Sequence, residues 1–172
     1  MTRAFVLFAH PCAESFSAAL HDCVVKRLTA RGWEVDDCDL NAEGFSPVLT
    51  AIERRSYHDV GHNIAPVADY VARLKGFFDR VFLPGVSFTL QDGKVMPNLR
   101  RIRKLAAVTT YGGTRLRAFM AGDPPRRSVT RAVWHVCRPD KTRYLALYDM
   151  NRATDGQRAG FLSRVDAEME RL

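Results

Sequence analysis

A chain of 172 residues, 47% of them hydrophobic, is long enough to bury the core of one ordinary domain, so a single domain over residues 1–172 is expected. No apolar run reaches membrane-spanning length and no secretory leader precedes the first strand, which predicts a cytoplasmic protein without membrane insertion. The net charge of +7 suits an anionic partner, whether nucleic acid or a phosphorylated cofactor, and no aromatic interleaving or helix-turn-helix pattern favours the nucleic acid.

The elements alternate along the chain. Arg3 to Phe8 reads as a buried parallel strand, and Phe16, Leu20, Cys23, Val24 and Leu28 then recur on one face of a helix that ends near Gly32. Trp33 to Leu40 alternates apolar and acidic residues, as a strand nearer an edge does; its Asp36, Asp37 and Asp39 read as a polar face rather than a carboxylate pair. A loop and a polar stretch follow to Asn63, and Val67 to Phe82 forms a continuous helical stripe after Pro66. Val86–Leu90, Asp92-Gly93 and Lys94–Met96 predict a small hairpin, and Leu105–Thr110 another buried strand. A helix from Pro125 to about Val136, a strand from Tyr144 to Tyr148, and a helix opened by the capping box Thr154-Asp155-Gly156-Gln157 complete the series. The expected class is α/β with a mostly parallel sheet.

Two stretches carry the chemistry. Ala9-His10-Pro11, then Ser15-Phe16-Ser17, place hydroxyls and free backbone N–H groups where a strand turns into a helix, an arrangement that suits a phosphate. Ser15 alone reads more readily as a helix cap, since capping serines are widespread. Thr109-Thr110-Tyr111-Gly112-Gly113 follows the later buried strand, and its glycines allow close approach of a flat ligand. The four cysteines, Cys12, Cys23, Cys38 and Cys137, read as reduced thiols with no Cys-x-x-Cys pair; Cys12 lies beside the helix start. His58 and His62 have helical spacing for a metal, but Gly61 lies between them and no third ligand is evident, so no metal is expected.

These stretches, with Gly44-Phe45-Ser46-Pro47-Val48-Leu49, Lys75-Gly76-Phe77-Phe78-Asp79-Arg80-Val81-Phe82 and Pro84-Gly85-Val86-Ser87-Phe88, occur in the order found in the flavodoxin-like NAD(P)H dehydrogenases (quinone), which the chain resembles over most of its length. The resemblance implies a flavodoxin-like three-layer sandwich. It also implies FMN or FAD as cofactor, NAD(P)H as electron donor, a quinone-like acceptor and a homodimer. His10, Ser15, Phe16 and Ser17 fall at the flavin phosphate and ribityl chain. Thr109, Thr110, Tyr111, Gly112 and Gly113 fall along the isoalloxazine edge, where two roles stay open for Tyr111: stacking on the ring or packing on the strand. Phe88 falls on the acceptor pocket, and it also reads as a hairpin core residue. The Tyr and His that family members place after the glycine pair have no counterpart in Thr114–Phe119, so the catalytic proton donor is unassigned.

One departure stands out. The family's central strand and aromatic flavin loop, on the order of twenty residues, are missing between Leu74 and Lys75. A sheet reduced to four main strands is therefore expected, with the first and the later central strand free to pair directly. Flavin affinity is expected to fall with the lost stacking surface. Three functions follow: a flavin-dependent NAD(P)H:quinone oxidoreductase, an impaired member acting as a regulatory or binding subunit, or a basic nucleic-acid binder.

Overall fold

The computed structural model describes residues 1–10, 12–44, 82–91 and 94–172. The apolar run at the start forms β1 (Arg3–Phe8), and α1 (Phe16–Ala30) follows it. Gly32, at φ +73, supplies the left-handed residue past the end of α1, and the chain enters β2 (Glu34–Asp39). β2 runs parallel to β1, with Val6 opposite Asp37 and Leu7 opposite Cys38. The hairpin is present as β3 (Phe88–Gln91) against antiparallel β4 (Lys94–Pro97).

β5 (Lys104–Thr110) pairs in parallel with β6 (Lys141–Leu147). Between them lie α2 (Arg115–Met120), α3 (Pro124–Arg127), a π-helical segment at Ser128–Val133 and α4 (Trp134–Cys137), the last three continuous. The helix expected from Pro125 to Val136 is therefore real but wound more loosely in its middle. The short α2 was not anticipated; Thr114 opens it by accepting the Arg117 N–H at 3.3 Å. A 3-10 turn (Met150–Arg152) leads into α5 (Asp155–Glu170). There the Thr154 hydroxyl accepts the Gln157 N–H, and Gln157 Oε1 accepts the Thr154 N–H at 2.8 Å, completing the expected capping box.

The core forms where α1 and α5 lie side by side over the sheet: Leu20, Leu145, Phe161, Val165, Met169 and Leu172 are buried together, with Ala106, Val108 and Leu147 against them. The helices run parallel, since their contacts climb in step. Cys23 Sγ donates to the Leu162 carbonyl, Arg27 Nε to Asp166 Oδ1 at 2.6 Å, and Arg31 Nη1 to the Met169 carbonyl at 2.7 Å. α1 returns from β1 and α5 from β6, so β1 and β6 point the same way, and the carboxyl ends of all four parallel strands lie on one side.

No ladder joins β1 to β5, although both are described; the direct pairing expected of a shortened sheet is not formed. Among the described residues, the helices and the core beneath them link the two parallel pairs. The junction at Leu74–Lys75, the helical stripe from Val67 through Val81, Gly76, the His58–His62 pair and the Asp92-Gly93 turn lie outside the described residues. Among the described residues no helix is long and apolar enough to cross a membrane.

Candidate functional site

The first part of the site follows β1. Ser15 is the N-cap of α1: its extended backbone (φ −75, ψ 156) turns Oγ back to accept the Ala18 N–H at 3.1 Å. His10 Nδ1 accepts the Cys12 N–H at 3.2 Å, which leaves Nε2 to carry the ring hydrogen. The side chain of Phe16 packs against the core, so its contribution to a ligand is the backbone N–H alone. The N–H groups of Phe16 and Ser17 and the Ser17 hydroxyl have no acceptor among the described residues. No acidic residue lies in the first turn to neutralise the positive end of the helix. These donors fit a phosphate.

The second part follows β5. Strand alternation separates the two threonines: Thr110 lies on the α1/α5 face with Val108, and Thr109 on the other face with Ala107 and Tyr111. Tyr144 pairs with Ala107 in register, so Tyr144 and Tyr148 share that second face. There Tyr111 stacks on Tyr148, with ring centroids 4.6 Å apart and planes at 24°. The Tyr111 hydroxyl donates to Asp123 Oδ1 at 2.5 Å and lies 2.6 Å from the Tyr144 hydroxyl, which donates to it in turn. Burial, then the bond to Asp123, push the Tyr111 phenol far above its usual range; burial raises Tyr144 as well. Tyr111 thus packs on this face of the strand against Tyr144 and Tyr148.

Backbone bonds then fasten the glycine pair to the turn after β6. Tyr111 N–H donates to the Leu147 carbonyl at 2.8 Å, Met150 N–H to the Tyr111 carbonyl at 2.9 Å, and Asp149 N–H to the Gly113 carbonyl at 2.8 Å. Neither Gly112 nor Gly113 has positive φ, and a Cβ on either would meet only ordinary contacts, at 3.5 Å from Asn151 Nδ2 and 3.7 Å from Arg117 Cβ. The fold itself does not demand glycine there; close approach of a flat ring would.

Both loops thus leave the carboxyl ends of parallel strands on one side of the sheet, the usual ligand side of an open α/β fold. Phe88 is half-buried at the start of β3, opposite Pro97, which is its hairpin role. Sequence reasoning missed Tyr144, Tyr148 and Asp123. The even spacing of the two tyrosines on one strand was a readable signal; the left-handed Asp123 (φ 47) that meets them was not. Cys12 is exposed, and none of the four cysteines forms a disulfide.

A family described as having a flavodoxin-like fold matches residues 2–169. An Escherichia coli protein named as an uncharacterized NAD(P)H oxidoreductase, YcaK, is 24% identical over 128 residues, 62% of this chain and 64% of that one. The chain therefore spans less than two thirds of that relative's length. Among solved structures, Smu.1420 from Streptococcus mutans superposes with a TM-score of 0.83 at 20% identity, covering 99% of this chain and 100% of that one. An NAD(P)H:quinone oxidoreductase from Methanothermobacter marburgensis gives 0.76 at 21% identity over 98% of each chain. An FMN-dependent NADH-azoreductase from Bacillus anthracis gives 0.70 at 11% identity over 99% of each. With parallel pairs β1–β2 and β5–β6 under α1 and α5, and a family match over nearly its whole length, the chain belongs to the flavodoxin-like-fold family.

Proposed function

We propose that this protein is a flavin-dependent NAD(P)H oxidoreductase acting on a quinone-type acceptor. The observation that carries the reading is the pairing, on one side of the sheet, of donors at Phe16 and Ser17 that have no acceptor among the described residues with a fastened, side-chain-free loop at Gly112-Gly113. The relatives' names supply the chemistry: NAD(P)H in two of them, FMN in a third, a quinone in one. FMN or FAD would lay its phosphate on Phe16 N–H, Ser17 and His10 Nε2, with Ser15 fixing the turn. Its ring would run along Thr109 to Gly113.

A bound flavin would take a hydride from the nicotinamide and deliver two electrons to the acceptor. The protein's share is orientation and exclusion of water. Tyr111, stacked on Tyr148 and bonded to Asp123, would set the height of the glycine loop, while the α1 dipole would favour the phosphate. We further propose one domain over residues 1–172 and a homodimer. Exposed Leu116, Phe119 and Met120 on α2 support the dimer, with Phe88 of the hairpin facing the shared acceptor pocket.

The test is the visible absorption spectrum of the purified protein before and after FMN or FAD is added and the excess removed. Retained flavin bands, followed by NAD(P)H-dependent quinone reduction, support the reading. A protein that retains neither flavin overturns it and leaves the alternative of a binding subunit built on the same fold.

A further inference from the structure

A cavity of about 400 Å³ lies beyond the end of β6, between the turn after that strand and one stripe of α5. Its size is that of a small-molecule site. Arg152 and Arg164 line it from two sides, with Phe161 and Leu147 as an apolar floor and Asp149 at the rim.

Two features mark it as built for a ligand. First, neither arginine forms an ion pair among the described residues, in a region where carboxylates are not scarce. The four acids of α5 are all committed elsewhere: Asp155 to Arg158, Asp166 and Glu170 to Arg27, and Glu168 to Arg143. Asp149 shares the cavity but pairs with neither arginine. Second, Gly160 interrupts the middle of α5, where alanine would make a better helix. It lines the cavity, and nothing lies within 4 Å of the Cβ it lacks. No neighbour in the fold requires a glycine there, whereas a ligand lying close to the helix would.

We propose that this cavity binds the phosphomonoester of a nucleotide. Arg152 and Arg164 grip the phosphate, Asp149 accepts from a ribose hydroxyl, and the base lies over Gly160 and Phe161. The cavity shares its turn with the glycine loop, since Asp149 and Met150 donate to Gly113 and Tyr111. Resting on the proposed oxidoreductase reading, the occupant is the phosphorylated adenosine end of the nicotinamide donor. The site then selects the 2′-phosphorylated nucleotide over its unphosphorylated form.

The test is calorimetric titration of the full chain, without flavin, with adenosine 2′,5′-bisphosphate, adenosine 5′-monophosphate and inorganic phosphate at fixed ionic strength. The proteins compared are wild type, Arg152→Gln, Arg164→Gln, Gly160→Ala and Arg103→Gln, the last removing one charge at the opposite end of the sheet. The bisphosphate should bind most tightly. Each cavity variant should weaken it by roughly tenfold or more, and Arg103→Gln should leave it unchanged. Equal binding by inorganic phosphate, equal losses in Arg103→Gln, or no binding at all overturns the proposal.

The two readings fail separately. Bisphosphate binding in a protein that reduces no quinone sinks the oxidoreductase and keeps this site. Quinone reduction driven equally by both nicotinamide nucleotides, and unaltered in Arg152→Gln and Arg164→Gln, does the reverse.

Discussion

Tyr111 and Asp123 are joined by a 2.5 Å hydrogen bond across the start of the helical segment between β5 and β6. Tyr111→Phe removes the donor and leaves the Asp123 carboxylate without this partner, which should cost about 1–2 kcal/mol in urea unfolding. It should also weaken flavin retention, because the glycine loop loses its anchor. Tyr148→Phe keeps the stacked ring and should change neither. An unfolding midpoint unmoved by Tyr111→Phe would show that the bond is dispensable.

Burial of the Tyr111 phenol, reinforced by the bond to Asp123, sets an alkaline limit. With the folded pKa raised, the protonated phenol is favoured in the native state. The stabilisation is therefore complete below the unfolded tyrosine value of about 10 and is lost as pH rises above it. Stability measured from pH 8 to pH 11 should fall more steeply in wild type than in Tyr111→Phe. Parallel curves would contradict the assignment.

Ser15 and Ser17 should separate structural from ligand roles. Ser15 caps α1, so Ser15→Ala should cost about 1 kcal/mol of stability. The Ser17 hydroxyl has no partner among the described residues, so Ser17→Ala should leave stability within about 0.5 kcal/mol while lowering FMN affinity. Thermal unfolding of the apoprotein with FMN titration by fluorescence quenching reads both effects. A stable Ser15→Ala or an unchanged FMN affinity in Ser17→Ala would reverse the roles.

An acid limit comes from the clasp between α1 and α5. Hydrogen bonding to Arg27 holds the Asp166 carboxyl below its usual range. Its contribution is present above the unfolded value of about 4 and is lost as pH falls through the lower folded value. Between pH 5 and pH 2.5, the melting temperature of Asp166→Asn should therefore decline less than that of wild type. Equal declines would mean that the clasp adds nothing.

Cysteine labelling offers a quick check on the fold. Burial, with Glu43 nearby, pushes the Cys38 thiol up to about 12, and burial raises Cys137 too, whereas Cys12 is exposed. Iodoacetamide at pH 8 should modify Cys12 first, with Cys38 and Cys137 reacting only on unfolding. Peptide mass spectrometry showing early modification of Cys38 would place β2 wrongly.

Much of this was legible in the chain. β1 was readable to the residue, because an apolar run bounded by polar and turn residues leaves little choice of ends. The Thr154 capping box and the Gly32 stop were equally plain, since each rests on local backbone chemistry. The short α2 was hidden: six residues with Leu116, Phe119 and Met120 exposed carry no buried stripe to detect. The direct pairing of β1 with β5 was plausible from strand order alone. No ladder joins these two strands, and strand pairing is a long-range choice that no local pattern records. The inward turn of Tyr111 also depended on distant residues, Asp123 and Tyr144.

The burial of Leu20 against Phe161, Val165, Met169 and Leu172 has a consequence for how the chain is made. α1 cannot complete its core until residues about 140 positions later have left the ribosome. Until then α1 presents Leu20, Cys23 and Val24 without their cover. Contacts of such long sequence separation slow folding. A nascent chain stalled before Phe161 should therefore be a substrate for chaperones, and the last helix should act as the closing step of folding.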